Sequence, residues 1–199
     1  MFIKANKLAQ LMKAAYKTGG LHLAADATFY SLQGRSWAMQ IYKEHIPKEV
    51  KGEIVKLADR LPENGEQFLA MPEGNQEEFI YQKGDYLDVY ANALEAEAGV
   101  MLSTTQFFLQ SKTGRNYVVL QGGNGGRAHI LEAGAAAMID SAFCEKNEEL
   151  KPAYRGKNGS YYRRSDHMAM AISLSVLEEL APAVDFLAGR DLIELMEQA

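Results

Sequence analysis

Apolar residues recur with a helical period in four segments of the chain. In the first segment, the side chains at i, i+3, i+4 and i+7 line one face of a helix: Leu8, Leu11, Met12 and Ala15. The same spacing predicts helices over residues 6–17, 47–61, 85–98 and 175–187. Pro182 lies inside the last of these segments, and we expect it to kink that helix.

Between these segments, short runs alternate apolar and polar residues with the period of two that is typical of a half-buried strand. Glycines and prolines separate most of the runs, so successive strands can pair through short turns. The predicted strands cover residues 1–4, 21–25, 28–32, 37–42, 67–71, 78–82, 100–110, 116–121, 127–131 and 161–172.

Helical connections are too few for a parallel sheet, in which every pair of strands needs a long crossover. We therefore predict an α+β fold with a largely antiparallel sheet and helices packed on one face. The side chains expected in the core are Leu8, Leu11, Trp37, Met39, Ile41, Ile54, Leu57, Leu61, Met168, Met170, Ile172, Leu177, Leu180 and Val184.

Two segments of the chain resemble each other. Residues 36–41, SWAMQI, have a counterpart in residues 167–172, HMAMAI, and a predicted helix follows each of them. This is consistent with a single domain over residues 1–199 built from two related halves, 1–98 and 99–199. Chance matching of a common apolar alternation explains the similarity equally well.

The composition is that of a globular domain that needs no covalent support. Of the 199 residues, 47% are hydrophobic and 24% are charged, which suffices for a sizeable core. Cys144 is the single cysteine, so an intrachain disulfide is excluded and a reducing compartment is favoured. No apolar run approaches the roughly 18 residues of a membrane span. We expect a cytoplasmic protein that does not interact with membranes.

Two segments resemble parts of a known fold. Residues 52–75, GEIVKLADRLPENGEQFLAMPEGN, place a leucine–proline turn between a helix and two strands. Residues 2–4, FIK, and 7–13, KLAQLMK, form a strand followed by a helix. Together they resemble one module of the DNA sliding-clamp fold, which implies a curved antiparallel sheet, helices on one face and a binding role. The order of elements is similar to that of uncharacterised phage and mobile-element proteins.

A glycine-rich loop is the most conspicuous local motif. Backbone N–H groups in such a loop can bind a phosphate, and an arginine at its end adds positive charge. The loop lies between two predicted strands and lacks the Lys-Ser/Thr ending of a P-loop, so a hairpin turn is favoured over a ligand loop. The candidate anion-binding residues are Gly123, Gly125, Gly126 and Arg127.

Motifs for catalysis and metal binding are missing. Ser165, Asp166 and His167 have the residue types of a hydrolase triad, but neighbours in a predicted strand point to opposite faces. Cys144 follows an apolar stretch and is expected to be a small buried side chain. The histidines are widely separated, so we predict no catalytic residue, no metal and no cofactor. They are His22, His45, His129 and His167.

The charge distribution carries the strongest functional signal. Residues 151–164, KPAYRGKNGSYYRR, hold five basic residues, three tyrosines and no acid, and we name them the basic-aromatic segment. Lysine and arginine neutralise phosphates and tyrosine stacks on bases, which is the combination used to bind single-stranded nucleic acid. The candidate nucleic-acid-binding residues are Lys151, Tyr154, Arg155, Lys157, Tyr161, Tyr162, Arg163 and Arg164.

A second segment has the opposite charge. Residues 59–97 hold ten acidic residues against Arg60 and Lys83, a net charge of −8. Such a surface repels nucleic acid and attracts a basic protein. The alternative is that the acidic and basic segments are both ordinary solvated faces.

These features favour a non-enzymatic, macromolecule-binding accessory protein of phage or mobile-element type that acts on nucleic-acid machinery with a clamp-like fold. One alternative is an inhibitor of the anti-CRISPR kind that binds a host protein through the acidic half. Another is a small hydrolase with an unrecognised site, although no residues supply nucleophile, base and orienting group. The expected partner is nucleic acid or a nucleic-acid-binding host protein, and an oligomer is compatible with the sequence.

Overall fold

The computed structural model describes residues 1–76, 88–123 and 126–192, which form five α-helices and one ten-stranded sheet. The helices are α1 (Ala5–Thr18), α2 (Lys48–Ala58), α3 (Val89–Ala96), α4 (Ala133–Ala136) and α5 (Ala181–Leu187). The strands are β1 (Leu21–Ala25), β2 (Phe29–Gln33), β3 (Trp37–Tyr42), β4 (Gln67–Ala70), β5 (Val100–Gln110), β6 (Asn116–Gly122), β7 (Ala128–Glu132), β8 (Ala153–Arg155), β9 (Ser160–Arg164) and β10 (Met168–Ser173). None of the helices in these ranges is long and apolar enough to cross a bilayer.

The strands are all antiparallel to their neighbours and lie in the order β4-β1-β2-β3-β10-β9-β8-β5-β6-β7. The predicted α+β class with an antiparallel sheet is therefore confirmed. At the centre, β3 pairs with β10, so that Trp37 lies opposite Ile172 and Ile41 lies opposite Met168. The two segments with similar sequences are thus the two strands that join the halves of the sheet.

The two faces of the sheet carry different helices because side chains alternate along each strand. On one face, α1, α2 and α4 cover the large side chains of β3 and β10, among them Met39 and Met170. On the other face, α3 packs against Ala38, Ala169 and Ala171, whose small side chains let the helix approach closely. Helix α5 covers β6 and β7 on that second face. The prediction that the helices pack on one face is therefore correct for α1, α2 and α4. It is wrong for α3 and α5, which pack on the opposite face.

The structure divides the predicted strand 161–172 into a hairpin of β9 and β10. Ser165, Asp166 and His167 form its turn. The Ser165 hydroxyl accepts hydrogen bonds from the N–H groups of His167 (3.4 Å) and Met168 (3.3 Å), which reverses the chain without a glycine. The single-strand prediction is wrong because the apolar pattern continues on both sides of this turn.

The last helix is shorter than predicted and begins at Ala181 instead of Ser175. Ser175 forms a β-bridge with Ile130, so the chain is still extended at that point. Pro182 lies in the first turn of α5 and starts the helix rather than kinking it. Proline is favoured there because the N–H groups of the first turn have no partner within the helix.

The predicted core is largely confirmed. Nine of the fourteen predicted side chains are buried, and the other five are half-buried at the margins of the helical stripes: Leu11, Leu57, Leu61, Leu177 and Val184. The predicted strand 78–82 and the start of the helix predicted over 85–98 lie outside the described residues.

One buried carboxylate links three distant parts of the chain. The amino group of Met1 and the hydroxyl of Ser165 both donate to the side chain of Glu148, which is fully buried. The backbone N–H of Glu145 donates to the same carboxylate at 2.8 Å. Burial raises the pKa of Glu148, but these three hydrogen bonds together hold the pKa below its ordinary value. Glu148 is therefore a charged group inside the protein.

Candidate nucleic-acid interface

The basic-aromatic segment folds as the β8–β9 hairpin. Arg155 pairs with Tyr161 across the two strands, and the backbone N–H of Gly156 donates to the carbonyl of Ser160 at 2.9 Å. The side chain of Asn158 accepts a hydrogen bond from the N–H of Ser160 at 3.0 Å and so closes the turn. The exposed tip of this hairpin holds Lys157.

Two of the three tyrosines in the segment are part of the core. Tyr161 packs in the main core, whereas Tyr162 packs under α3 on the other face. Burial raises the pKa of both phenols. The amide of Asn158 donates to the Tyr162 hydroxyl at 2.8 Å. Neither ring is available to stack on a base in this conformation, and the half-buried Tyr154 is the remaining aromatic side chain.

Several of the predicted cations are paired with acids. Arg164 binds Glu97 and Lys151 binds Glu149, and each carboxylate raises the pKa of its basic partner. Arg163 is half-buried beside Tyr161, with its Nε atom shielded from solvent. These three residues have structural partners, so they are poorly placed to reach a phosphate. Nucleic-acid binding by the segment as a whole stays a prediction.

Two arginines that are far apart in the sequence lie at the same end of the sheet as His129. Burial lowers the pKa of His129, and the charges of Arg155 and Arg127 lower it further. The sheet explains the convergence: Arg155 pairs with Val100 of β5, and the N–H of Gly122 in β6 donates to the carbonyl of Arg127. The hairpin and the glycine loop therefore meet at the same end of the sheet.

Both arginines present their charge to solvent. Arg127 and Arg155 are exposed, and neither forms an ion pair with a carboxylate within residues 1–76, 88–123 and 126–192. The side chain of Lys157 is 93% exposed and lies 3.7 Å from Glu95, a contact that solvent screens. His129 is neutral at pH 7 because its pKa is lowered. We name Arg127, Arg155 and Lys157 the cationic patch.

A cleft of about 470 Å³ opens beside the cationic patch, between the end of α3 and the β8–β9 hairpin. Arg155, Lys157 and Asn158 line the hairpin side, and Asn92 and Gly99 line the opposite side. Its volume lies in the range of roughly 300–1,000 Å³ that small-ligand sites occupy. The carboxylate of Glu95 also lines the cleft, so it combines cations, side-chain amides and one acid and is polar rather than apolar.

The glycine loop connects β6 to β7, as the hairpin interpretation predicts. Gly123 has a φ of +51°, a conformation that favours glycine. A Cβ atom at Gly126 would lie 1.6 Å from the carbonyl oxygen of Gly122, so no larger residue fits there. Gly125 lies outside the described residues. The loop brings Arg127 to the patch, and anion binding by its backbone stays a prediction.

The groups considered for hydrolysis are poorly placed for that chemistry. Ser165 is fully buried, and its hydroxyl donates to Glu148 rather than to a histidine. These residues lie in a turn and not in the predicted strand, so the burial of Ser165, rather than strand alternation, argues against a nucleophile. Burial and the charge of Glu148 raise the pKa of the Cys144 thiol, which keeps it protonated.

His129 lies beside this site although the sequence does not single it out for nucleic-acid binding. The available signal was its position two residues after Arg127 in a predicted strand, which places both side chains on the same face. The local sequence could not show that Arg155 lies at the same end of the sheet as Arg127. That proximity depends on the strand order, in which β5 and β6 lie between β8 and β7.

Comparisons with known proteins find little similarity. No protein-family model matches the chain, and the curated proteins contain no match. Among solved structures, the chain is similar to a crystal structure described as a DNA polymerase III beta subunit from Eubacterium rectale ATCC 33656. The TM-score is 0.35 at 10% sequence identity, over 88% of this chain and 64% of that one. At these values, the function has to be inferred from the geometry of the chain itself.

Proposed function

We propose that this protein is a non-enzymatic nucleic-acid-associated protein, and that its cationic patch binds the phosphate backbone of single-stranded nucleic acid. The position of Arg127 and Arg155 at one end of the sheet carries the proposal, because strand pairing brings the charge of two separate segments to the same edge. The whole chain has a net charge of −5, so exposed cations without acidic partners are a local feature.

The spacing of the two arginines suits two separate phosphates of one nucleic-acid chain. Arg155 lies on β8 and Arg127 precedes β7, with β5 and β6 between them. Three strand spacings amount to about 14 Å, too far for both guanidinium groups to bind one phosphate. Each guanidinium can donate two hydrogen bonds to its own phosphate, so the contacts contribute separately to affinity and to its salt dependence.

The acidic side chains near the patch limit the path of a bound strand. Glu95 and Glu97, at the end of α3, border the hairpin through their contacts with Lys157 and Arg164. Like charge between these carboxylates and phosphates keeps a strand on the side of the hairpin that faces Arg127.

The resemblance of residues 52–75 to a sliding-clamp module supports an accessory role in nucleic-acid machinery, and the order of the elements is what suggests a protein of phage or mobile-element type. The acidic segment is the part of the sequence that an alternative, basic protein partner would bind.

The proposal predicts a specific loss in the double variant Arg127→Ala/Arg155→Ala. Binding to labelled single-stranded DNA, measured by fluorescence anisotropy, should weaken for every oligonucleotide sequence. The slope of log K against log salt should become less negative by about 1.4, as expected for two lost contacts at about 0.7 each.

The matched control is Lys112→Ala/Arg115→Ala. It removes the same charge from two exposed residues in the β5–β6 turn, at the opposite end of β6 from Gly122. Binding by this control should equal that of the wild type. Equal losses in the two double variants would show that overall charge, and not the cationic patch, determines binding.

A further inference from the structure

A second cluster of polar side chains lies near the β3–β10 junction, away from the cationic patch. His45 follows β3 in the chain, and His167 lies in the turn before β10. Antiparallel pairing of the two strands brings them together: the N–H of Tyr42 donates to the carbonyl of His167 at 3.0 Å. The two imidazole rings stack with centroids 3.5 Å apart and an interplanar angle of 6°. His45 and His167 are therefore in direct contact, although 121 residues separate them in the sequence.

A carboxylate faces both rings. Both side-chain oxygens of Glu145 lie 3.2 Å from Nδ1 of His45, and one of them lies 3.5 Å from Nδ1 of His167. The three residues offer ligand atoms that all lie within 4.8 Å of one another. Nδ1 of His167 is buried and has no hydrogen-bond partner among the described residues. This nitrogen is therefore free to accept a further ligand.

We propose that His45, Glu145 and His167 bind a divalent transition-metal ion of the zinc class. Two imidazole nitrogens and one carboxylate oxygen are a ligand set that suits Zn²⁺ and Co²⁺, with solvent in the fourth position. Tetrahedral bonds of about 2.0–2.1 Å place ligand atoms about 3.3–3.4 Å apart. The nitrogen–oxygen distances of 3.2 and 3.5 Å are close to that value.

Binding requires one ring to turn. Parallel rings direct their nitrogen lone pairs along separate planes, and one metal ion cannot lie in both. The side chains of His45 and Glu145 are 30% and 50% exposed, so they have room to rotate, while His167 is held by the hairpin turn. Glu148 lies 3.8 Å from Nδ1 of His167 and adds negative charge behind the site. We expect His45 to reorient around an ion held by His167 and Glu145.

The test uses Co²⁺ and Zn²⁺ alone and protein without a histidine tag, because a tag would bind the same ions. The wild type should bind one Co²⁺ with the intense visible bands of a four-coordinate site, and Zn²⁺ should displace it. Loss of an outer-sphere partner costs 10–100-fold in metal affinity, so removal of a ligand should cost at least about 100-fold. Glu145→Gln and His45→Ala should each show that loss; Glu145 is exposed and His45 is half-buried outside the hydrophobic core, so folding should tolerate both changes.

His129→Ala is the matched control, since it removes a histidine outside the cluster and should leave Co²⁺ binding unchanged. Zn²⁺ should raise the melting temperature of the wild type and of His129→Ala, but not that of Glu145→Gln. The proposal is overturned if the wild type binds no Co²⁺, or if His45→Ala and Glu145→Gln bind it as tightly as the wild type. DNA binding is measured separately, so this result and the test of the cationic patch are independent.

Discussion

Glu148→Gln is expected to lower the free energy of unfolding by about 3–5 kcal/mol, because it removes the charge that neutralises a buried ammonium group. The amino group of Met1 and the carboxylate of Glu148 are 7% and 0% exposed. Glutamine has nearly the same size and can still accept hydrogen bonds, so the loss reports the charge rather than a cavity. Urea denaturation followed by circular dichroism measures it.

Glu149→Gln is the control for this experiment. Glu149 is the next residue, and its side chain is 70% exposed and paired with Lys151. Exposed pairs of this kind contribute about 0–1 kcal/mol, so the control should unfold almost as the wild type does. A loss below 1 kcal/mol in Glu148→Gln would contradict the assignment of Glu148 as the charged link between Met1 and the β9–β10 turn.

Phe68→Ala is expected to cost about 3–5 kcal/mol of stability, as large-to-small changes of buried aromatic residues do. Phe68 is 1% exposed in β4, directly opposite Leu23 of β1, and the guanidinium group of Arg60 lies 4.6 Å from its ring centre. Alanine would leave a cavity at the edge of the main core and remove the aromatic partner of Arg60. Chemical denaturation gives the difference in unfolding free energy.

The chain provides a matched control in Phe108→Ala. Phe108 is also a strand phenylalanine, in β5, but it is 63% exposed. The same substitution there should change stability by no more than about 0.5 kcal/mol. Equal effects at the two positions would mean that β4 does not pack on the core as described.

The hydrophobic pattern predicts most elements of this fold because their signals are local. α1 and β3 each follow one periodicity without interruption, and they occur where the pattern places them. The pattern fails where side-chain hydrogen bonds rather than glycine turn the chain, as Ser165 does between β9 and β10. It also does not show that α3 covers the second face of β3 and β10, because the side chains there are small: Ala38, Ala169 and Ala171.

The sites were less predictable than the fold because they depend on which strands pair. The charge of Arg155 was evident from the sequence, but its proximity to Arg127 requires the order β8-β5-β6-β7. The stacking of His45 on His167 depends in the same way on the pairing of β3 with β10. The similar sequences of those two strands were a usable signal for that pairing. No sequence signal indicated that Tyr161 and Tyr162 are buried, because alternation alone does not show that both faces of a hairpin are covered.

The salt dependence of single-stranded DNA binding by the wild-type protein tests the central claim most directly. With three phosphate contacts from Arg127, Arg155 and Lys157, a plot of log K against log salt should have a slope of about −2. Anisotropy titrations of one labelled oligonucleotide at several salt concentrations provide that slope. An absence of binding even at the lowest salt concentration, or an affinity that does not change with salt, would contradict the proposed role of the cationic patch.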